Sequence, residues 1–186
     1  MDRYDLAKLL KDELGNNSKD LVTRPSGQAV RERIERDLEA EPEGTVVALD
    51  FGKIGVIDYS CADEVVAKLV SRLLASEYGD KYLLLSGLND NQRENIEVAL
   101  ERKDLAVTAE MRDGRRIVLG TLNNYLKDTL DLVVKKKKLT SRDLADVRKL
   151  EANTSGTRLL NLHKKRLVRR AEEAKTDGKI MVYETL

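Results

Sequence analysis

Residues 56–65, VIDYSCADEV, gather Asp58, Tyr59, Ser60, Cys61, Asp63 and Glu64 directly behind an apolar run. A serine or cysteine nucleophile needs a general base within hydrogen-bond reach, and the one histidine, His163, lies far along the chain. The preceding loop, FGKIG, lacks the Lys-Ser/Thr pair that completes a phosphate-cradling glycine loop. A helix start explains the same residues without catalysis. Asp58 or Ser60 would cap the helix by accepting a free backbone N–H, Cys61 would pack as a small apolar side chain, and Asp63 and Glu64 would suit the positive end of the helix dipole. A hydroxyl placed there is also open to regulation, because an added phosphate would sit by free N–H groups while blocking a docking surface. The chain is therefore expected to catalyse no reaction; the stretch is read first as a plain helix cap, and alternatively as a docking or regulatory surface that includes the cap, made by Asp58, Tyr59 and Ser60. One Cys and one His allow neither a disulfide framework nor a His/Cys zinc site, so no metal and no cofactor are expected.

Positioning such residues requires a core. A chain of 186 residues, 41% hydrophobic and 36% charged, can bury one sizeable core or two small ones. No apolar run reaches the roughly 18 residues of a membrane span, and acids interrupt the first turn-length segments where a signal peptide would be apolar. A soluble, cytoplasmic protein with no membrane partner is the expectation. The formal net charge of +1 conceals an asymmetry: residues 117–186 hold 16 Lys+Arg against 9 Asp+Glu, a net of +7, which leaves 18 against 24, or −6, for residues 1–116. A basic half of this kind suits a polyanion.

Along the acidic part, YDLAKLL is either a short amphipathic helix or an edge strand, and GNNSKD breaks it. LVTRPSGQAVRERIERDLEAEPEG predicts a short strand, a Pro-Ser-Gly start and a helix with Val30, Ile34 and Leu38 on one face, ended by Pro42 and Gly44. TVVALDF predicts a strand, and the helix beyond VIDYS carries Val65, Val66, Leu69, Val70, Leu73 and Leu74 as a stripe wide enough to lie on a sheet. KYLLLSGL predicts a third strand, NDNQRENIEVALERKD a capped helix, and LAVTAEM-RDG-RRIVLG a hairpin about Asp113-Gly114. Alternating strands and helices predict an α/β fold, with a largely parallel sheet, helices packed on it and an antiparallel hairpin at one edge.

The phrase VVALDF...IGVIDYSCADEVVAKLV resembles the STAS domain, the anti-sigma-factor-antagonist fold, and in particular its STAS-like relatives of unknown function. The resemblance covers residues 20–119 and leaves residues 1–19 as an N-terminal segment. It implies a protein-docking or signal-input role and a kinase-like or anti-sigma-like partner. In the phospho-regulated antagonists the residue after the aspartate is a regulated serine, and Tyr59 stands there instead. The regulated hydroxyl is then Ser60, or the switch has been lost or replaced.

In the basic part, TLNNYLKDTLDLVVKKKK predicts a helix with Leu122, Tyr125, Leu126, Leu130 and Val133 on its inner side. Its terminal lysines suit a helix C-terminus without any ligand. LTSRDLADVRKL predicts a capped short helix, EANTSG a turn, TSGTRLLNLHKKRL a further helix beginning at Thr154 or Ser155, and LVRRAEEAKTDGKIMVYETL a hairpin with Leu167, Ile180 and Val182 inward. Three helices and a hairpin in this order, with LTSRDLAD...TSGTRLLNLHKKRLVRR, resemble the winged helix-turn-helix domain of bacterial transcription regulators, a small α+β domain covering residues 120–186. The resemblance implies that the third helix enters the major groove of duplex DNA. With Leu159 and Leu162 facing the core, Thr154, Arg158, Asn161 and Lys165 turn outward, with Ser155 and Thr157 beside the helix start. Arg and Asn make paired hydrogen bonds to guanine and adenine edges, so Thr154, Ser155, Thr157, Arg158 and Asn161 are the expected base-reading set. Arg142, Lys164, Lys165, Arg169, Arg170, Lys175 and Lys179 are the expected phosphate contacts. The habit of such domains to bind two half-sites implies a homodimer. The expectation is a DNA-binding transcription regulator, and the alternative is an antagonist-type adaptor that never touches DNA.

Overall fold

The Leu- and Val-rich runs form strands and the periodic runs form helices in the computed structural model, which describes residues 2–15, 17–175 and 178–186. The chain divides into two units, Met1–Thr121 and Leu122–Leu186. In the first, β1 (Asp2–Asp5), α1 (Leu6–Leu14), α2 (Arg24–Ala40) and β2 (Val46–Asp50) lead into one helix wound in three segments. These are α3 (Tyr59–Cys61), a π-wound turn (Ala62–Ala67) and α4 (Lys68–Leu74). β3 (Tyr82–Leu88), α5 (Asp90–Glu101), β4 (Ala106–Met111) and β5 (Arg116–Gly120) follow.

The five strands lie in the order β1-β2-β3-β4-β5, parallel throughout except for the antiparallel β4–β5 pair. The fold is thus α/β with a five-stranded mixed sheet. Sequential order combined with right-handed crossovers carries the helices to one face. On that face Val47 sits beside Leu83 and Leu49 beside Leu85, and these join Val30, Ile34, Leu69, Leu73 and Ile96 in one buried core. YDLAKLL, open between helix and strand in the sequence, contributes to both. Asp5 ends β1 and its carboxylate accepts the Ala7 and Lys8 N–H groups as the cap of α1, whose Leu6, Leu9 and Leu10 are buried.

The second unit contains α6 (Asn124–Lys136), β6 (Lys138–Thr140), α7 (Ser141–Arg148), α8 (Ala152–Lys164), β7 (Arg169–Lys175) and β8 (Gly178–Glu184). Its three strands are antiparallel in the order β6-β8-β7. The strand β6 was not foreseen. Lys137 takes φ 67°, which ends α6, and Lys138–Thr140 then pair with Glu184–Val182 so that Leu139 is buried. Thr140 and Asp143 form a reciprocal capping box that starts α7. Leu144, Leu159, Leu162, Leu167 and Val182 are buried, while Ile180, expected inward, is half-buried. Among the described residues no helix is long and apolar enough to cross a membrane.

Candidate functional site

Asp58 is the residue that organises the stretch VIDYSCADEV. Its Oδ1 accepts the Cys61 N–H at 2.7 Å and the Ser60 hydroxyl at 2.9 Å, and its Oδ2 accepts the Thr23 N–H at 3.2 Å. Burial opposes ionisation of Asp58, but the donors from Cys61, Thr23 and Ser60 outweigh it and hold the carboxyl below its ordinary range. Cys61 is fully buried, its thiol donates to the Thr23 carbonyl at 2.8 Å, and burial together with the neighbouring Asp58 charge pushes its pKa up to about 12. That environment suppresses the thiolate a nucleophile needs. Tyr59 packs partly against the core with the Arg102 guanidinium 4.6 Å over its ring. Beside the cap, Leu21 and Ile57 form an isolated parallel bridge and are buried, whereas Val22 and Val56 next to them are 41% and 47% exposed.

Asp63 and Glu64 do something other than complement a helix dipole. They lie in the π-wound turn and face α2, which approaches closely because residue 27 is glycine; a Cβ there would stand 3.1 Å from the Glu64 Cβ and 3.2 Å from the Cys61 Sγ. The Glu64 carboxylate is 1% exposed and pairs with Arg31 at 3.1 Å, Arg24 at 2.9 Å and Lys68 at 2.5 Å. Asp63 pairs with Lys103 at 2.5 Å and Arg24 at 3.3 Å, and Arg31 reaches Glu35 at 2.6 Å, which Arg72 meets at 2.7 Å. Burial raises the carboxyl pKa of Glu64 and Asp63, and their hydrogen-bonded cations, led by Lys68 and Lys103 respectively, bring both below the ordinary range. Charged residues inside an apolar helical stripe were the available signal; which cations would meet them depended on the packing of α2.

The other expected site is the outer face of α8. The helix begins at Ala152, earlier than Thr154 or Ser155, because Glu151 takes the capping position and its carbonyl accepts the Ser155 N–H at 3.0 Å. EANTSG is therefore largely helix, and the turn falls at Lys149, with φ 52°. The longer helix takes in Ser155 four residues before Leu159, which moves one expected residue off the surface. Ser155 is fully buried, in line with Leu159 and Leu162, and its hydroxyl has no hydrogen-bond partner, so it does not present itself to a ligand. Thr154 and Thr157 are exposed as expected, Arg158, Asn161 and Lys165 are half-buried, and Asn153, not anticipated, is exposed on the same face. The Thr157 hydroxyl donates back to the Asn153 carbonyl at 2.8 Å.

Tyr125, expected on the inner side of α6, is instead 44% exposed. It stands across an open cleft from α8, lined by Tyr125, Asn153, Thr154, Thr157, Arg158 and Asn161. The Arg158 guanidinium lies over the Tyr125 ring, with Cζ 5.3 Å from its centroid, inside the range of a cation–π contact. Helical spacing groups Tyr125 with the leucines because aromatic and aliphatic residues alike count as apolar; its hydroxyl is the only hint of an outward position.

Of the expected phosphate contacts, Arg142 and Lys164 are exposed, Lys165 is half-buried, and Arg170 is exposed with its guanidinium 6.0 Å over the Tyr183 ring. Arg169 and Lys179 are engaged instead within the hairpin. Arg169, directly opposite Glu184, pairs with it at 3.3 Å, and Lys179, opposite Ala174, reaches diagonally to Glu172 at 3.0 Å, since opposite charges on one face of neighbouring antiparallel strands meet. The Lys175 side chain lies outside the described residues. Compared with protein-family models and with curated proteins, the sequence matches neither a family nor an individual relative.

Proposed function

We propose that the protein is a DNA-binding transcription regulator whose second unit is a winged helix and whose first is a STAS-like input or docking domain. The observation that carries this reading is the outer face of α8. Asn153, Thr154, Thr157 and Lys164 are exposed there beside Arg158 and Asn161, a set rich in the donors and acceptors that meet base edges. The order of three helices, a short strand and a β-hairpin supports the winged-helix reading, and the excess of +7 charges in residues 117–186 supports a polyanionic partner. Arg142, Lys164, Lys165 and Arg170 are the proposed phosphate contacts, reduced from the longer set by the ion pairs of Arg169 and Lys179. Binding to two half-sites as a homodimer in the cytoplasm belongs to the same proposal.

The test is fluorescence anisotropy of the full chain with duplex DNA at low salt. Each phosphate contact adds about −0.9 to the slope of log affinity against log salt, so four contacts predict a loss of roughly 100-fold between about 50 and 200 mM salt. No binding at low salt refutes the reading. The adaptor alternative is favoured by the exposed Val22 and Val56 beside Asp58 and Ser60, an apolar pair next to a half-buried hydroxyl. Under that reading, replacing Val22 and Val56 by serine abolishes capture of a kinase-like or anti-sigma-like protein and leaves DNA irrelevant.

A further inference from the structure

We infer that Tyr125 is a specificity-determining positioning residue, which holds the Arg158 guanidinium with its hydrogen-bonding edge turned toward the cleft where a guanine edge would lie. The inference rests on the DNA-binding reading of α8. Arg158 is half-buried and its Cζ lies over Tyr125, yet among the described residues it takes part in no hydrogen bond or ion pair. Three other cations of this unit are instead taken up by carboxylates: Arg148 is held by Asp128 at 2.6 Å, Arg169 by Glu184 and Lys179 by Glu172. A guanidinium that lays its face on the ring keeps its in-plane N–H donors free. Paired hydrogen bonds to guanine O6 and N7 need that edge, in a fixed direction. A free arginine would spend rotamer entropy on reaching this geometry, whereas one stacked on an aromatic ring begins near it.

Tyr125 is suited to the task by its own anchoring. It lies in the first turn of α6, where its carbonyl accepts the Thr129 hydroxyl at 2.7 Å and its side chain remains 44% exposed. Asn161 and Asn153, which line the same cleft, supply amides for a neighbouring base. Tyr125 thus acts through Arg158 and not as a base contact in its own right.

The experiment begins with selection of preferred duplexes by the full-length protein, followed by affinity measurements on single base-pair variants for wild type, Arg158→Ala, Tyr125→Ala and Tyr125→Phe. Arg158→Ala is expected to lose about 5- to 100-fold of discrimination at one base pair. Tyr125→Ala should lose discrimination at that same base pair by about 5-fold or more, with its salt slope and thermal unfolding unchanged, and Tyr125→Phe should restore it because the ring face is retained. Full discrimination in Tyr125→Ala beside loss in Arg158→Ala overturns the inference alone and leaves DNA binding standing. An equal weakening of all sequences by Tyr125→Ala also overturns it, by showing a merely structural role. Absence of any duplex binding by wild type overturns both this inference and the reading beneath it.

Discussion

Replacing Asp58 by alanine removes the acceptor of three hydrogen bonds at once: the Cys61 N–H at 2.7 Å, the Ser60 hydroxyl at 2.9 Å and the Thr23 N–H at 3.2 Å. Loss of an N-cap side chain alone costs about 0.5–2 kcal/mol. Here the same carboxylate also ties the entry of α2 to α3, and Thr23 is a β-branched residue at φ 79°, a conformation that surrounding contacts must hold in place. Asp58→Ala is therefore expected to cost about 2 kcal/mol, at the upper end of the cap range, and Asp58→Asn, which keeps one acceptor oxygen, about 1 kcal/mol. With a urea slope of about 2 kcal/mol/M, far-UV circular dichroism at neutral pH should show the midpoint falling by about 1 M and 0.5 M respectively. Hydrogen exchange over residues 23–27 and 59–74 assigns the loss to this unit and not to the other. The pH dependence has a definite sign. Because the folded-state pKa of Asp58 lies below its ordinary value, its ionised form contributes stability that is fully present above the unfolded pKa of about 3.9 and is lost as pH falls through the folded value. The gap between wild type and Asp58→Ala should thus narrow below about pH 4. An alanine variant within about 0.5 kcal/mol of wild type at neutral pH, or a gap that stays constant into acid, refutes the argument.

Three further substitutions test other parts of the structure. Ser155→Ala removes a buried hydroxyl with no partner and adds a better helix former, so stability should hold or rise by about 0.5–1 kcal/mol and duplex affinity should not change; a fall in affinity at full stability would return Ser155 to the reading face. Arg31→Ala leaves the buried Glu64 and Glu35 each short of a cation and should cost about 3 kcal/mol, near the low end for a broken buried pair because Arg24, Lys68 and Arg72 remain. Arg33→Ala, whose pairs with Glu13 and Asp37 are open to solvent, should cost less than about 1 kcal/mol. Urea unfolding of the two variants side by side decides the matter, and equal losses would deny the buried network its role.

Much of the first unit was legible because each of its signals is local. Val46–Asp50 and Tyr82–Leu88 are apolar runs of strand length, Asn89 and Gln92 form the capping box at the start of α5, and Asp113-Gly114 sits in the tight turn of the hairpin. The cap at Asp58 was equally local as far as its Oδ1 accepts the Cys61 N–H three residues on, whereas the Thr23 N–H held by its Oδ2 comes from 35 positions away and carried no local signal. The errors share a cause as well. With α8 starting at Ala152, Ser155 lies inside the helix and not beside its start, and its spacing of four and seven residues before Leu159 and Leu162 puts it on their buried face. The strand β6 escaped notice because three residues carry no periodicity, and Lys138–Thr140 become a strand only through pairing with β8.

Composition, periodicity and turn chemistry, by themselves, determined the alternation of strands and helices, the charge difference between the two halves and the residue types offered on α8. Tertiary structure alone decided which of those residues meet. Arg31 and Glu64 are 33 positions apart and Arg158 and Tyr125 are also far separated in the chain, yet each pair is in contact. Side-chain encounters of this kind depend on the approach and rotation of whole helices, which packing sets to a fraction of a turn and a local pattern does not encode.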